Sequence, residues 1–587
     1  MDEASVGITE YIADLEPFEG IVKMRYSDFL VSEISVDGTV CSLTSAEPIS
    51  QAVLDNQPSD CAQFASTAAA EADVKAESNV PATQNELENV KKVACGEIKH
   101  AFCDVETLTK EQRTQIHVFI KENFQDLDST TVTEDGRKLI KITKSNANGN
   151  GRSRKRKHWP PGRGDYLHFV MYKENLDTRA AISIIARSLR MPEHCFMVAG
   201  NKDKRAVTVQ NVCVYRLEKE RLEAVSKHYR NIIVGNMKYR EYDLQLGSLA
   251  GNQFDIVLRN VNKPVETVVR NIDSLAKYGF INYFGLQRFG TSTIPTWKVG
   301  RAILASNWKL AVDLILTPGK NSELLNACHI WHESEDAAKA YLAIPTHLQR
   351  SSIEAQLLKG IQKHGVTDFV NALQFIPRTS RMLYVHSYQS VIWNRIVSDR
   401  VKTYGLTVLD GDLVFASSDD NEVKVVERND NAEVKSCIYD VVMPLPGYDI
   451  KFPDNKLRPL YEKYLAGDGL SIEALNHNVK EYSLKGAYRK PFVQPKVSHS
   501  FVRYNDSKLS LIATELEKIK GSVDSESIED GKFLALIITL TLPKSAYATM
   551  ALRELTHTTA TFEFQLHLNE KHKSADETNN DTELDAD

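Results

Sequence analysis

Between Cys41 and Asn89 the chain carries one aromatic residue, Phe64, in a run rich in Ser, Ala, Asn and Glu. Such a segment buries too little apolar surface to offset the entropy lost on ordering, so it is expected to stay disordered. A folded core must then be assembled from chain on either side, with residues 41–164 forming a mostly disordered insertion within one sheet. The flanks supply the strands. Residues 20–36 read as a strand pair around a turn at 25–28, and strands recur at 166–171, 501–504 and 533–542. Helices are expected after Asp177, which suits an N-cap, and near 297–306, 351–364, 386–403 and from Tyr547. The clearest helix runs over 264–278, opened by Pro264, striped with Val265, Val268, Val269, Ile272 and Leu275, and closed by Gly279 in a left-handed cap. Within the insertion, 108–125 reads as helix and 137–143 as a short strand. No internal repeat is evident.

Composition excludes several classes. Hydrophobic residues at 42% and charged residues at 26% are ordinary for a globular protein. The net charge of −6 hides a segregation: residues 569–587 are acidic, whereas Arg152–Lys157 is almost wholly basic. That basic run suits a nuclear import signal, an RNA-backbone contact or a solvated loop. The eight cysteines are scattered with no Cys-x-x-Cys pair, which argues against a zinc module or disulfide framework and fits a reducing compartment. No leader or membrane-span pattern is present, so the expectation is a soluble intracellular protein. The chain has neither a phosphate-binding Gly-x-x-x-x-Gly-Lys-Ser/Thr loop nor His-Glu-x-x-His, and lacks the zinc-deaminase signature. Asn201-Lys202-Asp203 is therefore no guanine-specificity motif, and His386-Ser387-Tyr388 has no triad context.

The chemistry concentrates at Gly200–Gln210, where Asp203 sits among Lys202, Lys204 and Arg205 between an apolar run and an alternating one. A turn-borne carboxylate among cations should stay ionised, which suits a nucleophile or base, and the surrounding charge attracts a polyanion. By itself the stretch is better explained by an ion-paired surface turn. Lys23 alone reads rather as a solvated lysine. Phe254, beside Asn252, is either an inward strand residue or a flat face for an extruded base. Residues 283–290 suit a packed aromatic turn better than a ligand site.

Taken in order, these segments resemble the TruD family of pseudouridine synthases, in its eukaryotic tRNA pseudouridine-13 synthase branch. The resemblance rests on Lys23–Val31, Gly200–Gln210, Gly251-Asn252-Gln253-Phe254 and Asn282–Gly290. It continues through His386–Ser390, Gly486–Lys490 and Tyr547–Glu554. It covers about 20–40 and 160–560. It implies an α+β fold: a pseudouridine synthase catalytic core with a mixed sheet, interrupted by an inserted TRUD domain. The implied divisions are an N-terminal extension (1–19), a first catalytic-core segment (20–278), the TRUD domain (279–495), a second catalytic-core segment (497–568) and the acidic tail (569–587).

The implied reaction isomerises uridine to pseudouridine in RNA, at position 13 of tRNA and at messenger RNA sites. By the same resemblance, Asp203 is the catalytic carboxylate and nucleophile and Lys23 its partner. Phe254 stacks on the target base and Asn252 lies beside it; with Lys23 as the carboxylate's partner, Lys204 and Arg205 are freer to meet RNA phosphate. No metal or cofactor is implied, because the reaction is redox-neutral and loses no atoms. The expected state is a monomer bound to RNA and not to membranes, located in the nucleus with a cytoplasmic share. The principal alternative is a catalytically inactive RNA-binding protein on the same fold. A uridine methyltransferase would need a donor-binding glycine loop that is not evident.

Overall fold

The computed structural model describes residues 2–44, 83–144, 159–559, 564, 565 and 568, less 107, 125–126, 135–136, 228, 291–292, 320, 417–421 and 428–436. The basic run Arg152–Lys157, the acidic tail from 569 and most of the 41–89 stretch lie outside them. The chain forms two compact units: 50–160, and 1–49 together with 161–587.

The smaller unit corrects an expectation. Rather than being mostly disordered, residues 83–144 hold helices Gln84–Cys95 and Lys110–Asn123 and an antiparallel sheet ordered His100–Asp104, Arg137–Lys144, Leu127–Glu134. Each helix opens with a threonine capping box, Thr83 with Glu86 and Thr109 with Gln112. Leu87, Val90 and Val93 make the inward stripe of the first helix and close on Ile116, Ile120, Ile140 and Ile142. The 41–89 window ends inside that helix and holds only Leu87 of the stripe, and Phe119 of the second helix supplies the core with an aromatic ring.

The larger unit is built on a nine-stranded mixed sheet. Its strands are β1 (Ile21–Val22), β2 (Phe29–Ile34), β3 (Tyr166–Glu174), β4 (Phe196–Val198), β5 (Val207–Tyr215), β6 (Ile232–Arg240), β7 (Gly251–Arg259), β8 (Lys496–Tyr504) and β9 (Phe533–Pro543). The order is β8-β9-β7-β2-β5-β3-β6, with β1 on β7 and β4 on β5. Only the β2–β5 pairing, Leu30 opposite Val207, is parallel. The expected hairpin at 20–36 does not form. β1 and β2 both pair with β7, at Leu258–Arg259 and Gly251–Ile256, so they are one interrupted strand with a bulge between them. β7 lies between β2 and β9, with Phe254 opposite Val31 on one side and Leu540 on the other, and so bridges the early and late strands of the sheet.

Alternation along the strands sorts the two faces. Phe254, Ile256 and Leu258 of β7 face the main apolar core, while Val257 joins a second cluster with Val207, Val209 and Tyr172. The main core includes Val268, Ile272 and Leu275 of α2 (Val265–Tyr278), following α1 (Thr178–Leu189). It then runs on without a break through Trp297 of α3 (Thr296–Leu304), Trp393 of α4 (Arg378–Tyr404) and Leu552 of α5 (Ala548–Thr556). A separate helical core gathers Trp331, Leu358, Leu373 and their neighbours.

Asp177 caps α1 as its position implies, accepting from Ala180 N. Gly279 does end α2 with φ +70°, but its ψ of −151° lies outside the left-handed helical basin. A Cβ there would sit 2.2 Å from the Val493 carbonyl oxygen, so close backbone approach, as well as φ, requires glycine.

Candidate active site

The bulge between β1 and β2 exists because its base is clamped. Arg259, the last residue of β7, donates through Nε to Asp28 Oδ2 (2.9 Å) and through Nη2 to Asp28 Oδ1 (2.7 Å), with both side chains essentially unexposed. Asp28 Oδ2 also accepts from Arg25 N, and Arg259 Nη2 donates to the Leu509 carbonyl. At the other end of the bulge Lys23 takes a left-handed φ of 55°. Its Nζ stands 3.9 Å from the centroid of the Phe29 ring and donates to Asp203 Oδ2 at 2.9 Å. Residues 180 apart in sequence thus form one ion pair, 17% exposed at the lysine and 40% at the aspartate.

Asp203 lies on the 199–206 loop between β4 and β5. Of the cations beside it in sequence, Lys202 turns inward and pairs with Glu33 of β2 at 2.8 Å, both nearly unexposed. Lys204 and Arg205 stay exposed, and Arg205 reaches back to the Met24 carbonyl at 3.3 Å. The three cations that crowd Asp203 in sequence therefore divide: one holds the sheet and two face solvent.

A cavity of about 390 Å³ opens beside the carboxylate, lined among others by Phe29, Asp203, Leu249, Asn252, Phe254, Gln287 and residues 544–549. That volume falls in the range of small-ligand sites. Phe254 is at once core and wall: it is 9% exposed, belongs to the main apolar cluster and meets Phe29 edge to face at 5.9 Å. Asn252, two residues earlier on the same face of β7, has a buried Oδ1 with no hydrogen-bond partner among the described residues. Residues 283–290 are likewise double in character, since Tyr283, Phe284 and Phe289 are packed inside while Gln287 reaches the cavity.

Sequence reasoning missed the role of the supports, although Arg489 lies within the Gly486–Lys490 segment of the resemblance. Arg489 is buried, its basicity reduced to about 10 by desolvation, with its guanidinium 4.1 Å from the Phe284 ring centroid. It donates to the Asn282 carbonyl and, at 2.6 Å, to the Ser545 carbonyl, so it ties the cavity's 544–549 wall to the start of the 279–495 segment. Lys173 of β3 was also missed. Its signal was a lysine in phase with the inward residues Leu167, Phe169 and Met171. Among the described residues, no group of three or more His, Cys, Asp or Glu could hold a metal ion. No described helix is long and apolar enough to cross a membrane.

The α+β fold with its mixed sheet has known counterparts. Residues 142–555 match the family model described as tRNA pseudouridine synthase D (TruD). The chain belongs to the TruD family. It is a pseudouridine synthase, an isomerase that acts on RNA. Among its relatives, Pseudouridylate synthase 7 homolog of Homo sapiens is 37% identical over 576 residues, covering 97% of this chain and 83% of that protein. Multisubstrate pseudouridine synthase 7 of Schizosaccharomyces pombe is 34% identical over 619 residues, covering 95% and 90%. A solved TruD crystal structure from Methanosarcina mazei shares the fold, with a TM-score of 0.55 at 20% identity over 95% of this chain and 98% of that one.

Proposed function

We propose that Asp203 is the carboxylate that drives uridine isomerisation, with Lys23 as its oriented partner. The observation that carries this reading is the 2.9 Å Lys23–Asp203 pair at the cavity. In the reaction the N1–C1′ bond breaks, the uracil turns while held, C5 bonds to C1′, and a proton leaves C5 as N1 regains one. Asp203 acts either by attack on C1′ or by promoting N1–C1′ cleavage, and both routes need an anion at this place. Phe254 supplies the flat face for the detached base. Asn252 Oδ1, buried without a partner among the described residues, is suited to accept from a base N–H. Exposed Lys204 and Arg205 are suited to phosphate.

Because Phe254 is also core, truncation to alanine would confound folding with stacking. Phe254→Leu retains apolar bulk and removes the planar face. It is expected to slow turnover by roughly 5- to 150-fold, corresponding to about 1–3 kcal/mol of stacking. Single-turnover rates equal to wild type would assign Phe254 to packing alone.

The substrate range we infer is tRNA, at position 13, together with messenger RNA sites, handled by a monomer. The family's description supports tRNA, and the multisubstrate designation of the fission-yeast relative accords with more than one substrate. Pseudouridine maps of total RNA with and without the protein test it, and unaltered tRNA signal would remove the tRNA assignment. A nuclear location is proposed from Arg152–Lys157. Deleting those residues should shift a tagged protein to the cytoplasm, and unchanged distribution would refute the signal.

A further inference from the structure

The helix-facing side of β3 and β5 is apolar at one end and polar at the other. In register, Leu167 opposes Val214 and Phe169 opposes Val212, but Met171 opposes Gln210 and Lys173 opposes Thr208. Lys173, Thr208 and Gln210 are all wholly buried. Strand alternation demands apolar residues at such positions, and a buried ammonium costs several kcal/mol unless its protons are satisfied.

Their partners lie on the loop that carries Asp203. Gln210 Nε2 donates to the Gly200 carbonyl (3.1 Å), while its Oε1 accepts from Thr178, whose hydroxyl in turn accepts from Lys202 N (2.9 Å). Lys173 Nζ donates to the carbonyl oxygen of Asp203 itself at 3.0 Å and to that of Leu176 at 2.6 Å. No carboxylate lies within ion-pair distance of Lys173 among the described residues.

Resting on the reading of Asp203 above, we propose that Lys173 is a positioning residue for the reaction. Its buried ammonium grips the backbone of Asp203 from beneath and places positive charge under the carboxylate, without touching substrate. Lys23 pairs with the carboxylate, and Lys173 holds the peptide that bears it. The charged groups that act on Lys173 are Asp203 and Asp177, which favour its cation, and Lys202, which opposes it. Its cross-strand neighbour Thr208 is uncharged. Burial outweighs the two carboxylates and lowers the ammonium to about 8, so its charge is lost as pH rises through that value.

The test measures single-turnover pseudouridine formation and RNA binding in the full chain. Lys173→Met, folded by thermal melt, should lower the rate about 100-fold, as expected of a misplaced catalytic group, with RNA Kd within about twofold. Wild type should lose rate as pH rises through about 8, and Lys173→Arg, which keeps its charge there, should restore rate relative to Lys173→Met and lose that alkaline limb. A folded Lys173→Met with the wild-type rate overturns the proposal, as does an identical limb in Lys173→Arg. If Lys173→Met does not fold, the wild-type profile decides, and a flat rate between pH 7 and about 9 overturns it. Asp203→Asn is measured in parallel. Wild-type turnover in that variant defeats the Asp203 reading itself, whereas an inactive Asp203→Asn beside an unimpaired Lys173→Met defeats only the role of Lys173.

Discussion

Asp203→Ala is expected to abolish pseudouridine formation, by on the order of 10⁴-fold or more, while RNA binding and fold survive. The structure separates these effects. The Asp203 side chain is 40% exposed and lines the cavity, so its removal leaves no void in the packed core. Its pair with Lys23 is partly solvated, and such pairs contribute about 1 kcal/mol or less to stability. The loop keeps its course without that carboxylate. Its backbone is held by Thr178, Gln210 and Lys173, and Lys202 is anchored to Glu33. Asp203→Asn preserves shape and removes charge, so equal loss in both variants identifies the anion as the active element. Wild-type turnover in Asp203→Ala would make the assignment wrong. Loss of RNA binding by the same factor as turnover would make Asp203 a binding residue.

Arg259→Met is expected to destabilise the larger unit by about 3–5 kcal/mol, because it leaves the Asp28 carboxylate buried without its cation. Asp28 is 1% exposed and would retain only the Arg25 N–H among its present hydrogen-bond donors. The bulge it anchors carries Lys23, so turnover should fall along with stability. A second change separates charge from shape. Asp28→Leu introduced with Arg259→Met should recover a large share of the stability, since replacing both ions removes the uncompensated charge. Recovery of activity should be smaller, because Asp28 also fixes Arg25 N at the turn. Urea unfolding of the single and double variants reads the coupling. Strict additivity would show that the pair is not coupled.

Much of this was legible in advance because it is local. Periodicity located α2, and Asp177 marked the start of α1, since a helix stripe and an N-cap depend on residues a few positions apart. The segments quoted for the TruD resemblance pointed to the family that the comparisons show. The hairpin at 20–36 failed for the opposite reason. β1 and β2 each have strand character, but their common partner is β7, more than 200 residues onward, and no local pattern reports it. Within 83–144 the helix read at 108–125 and the strand at 137–143 are present, as Lys110–Asn123 and Arg137–Lys144, but their joining with Gln84–Cys95 into one small core was not legible from composition.

The sequence by itself determined the kind of strands and helices, the order of the chemical segments and the family they resemble. Only tertiary structure decided what each charge does. Lys202, adjacent to Asp203, turns away to Glu33, whereas Lys23, 180 residues distant, meets it at 2.9 Å. Lys173 and Arg489, to which the sequence assigned no role, hold the backbone on two sides of the cavity. The physical reason is that hydrophobic periodicity is written along the chain, but a charge takes its role from whichever partner and dielectric the folded sheet brings to it.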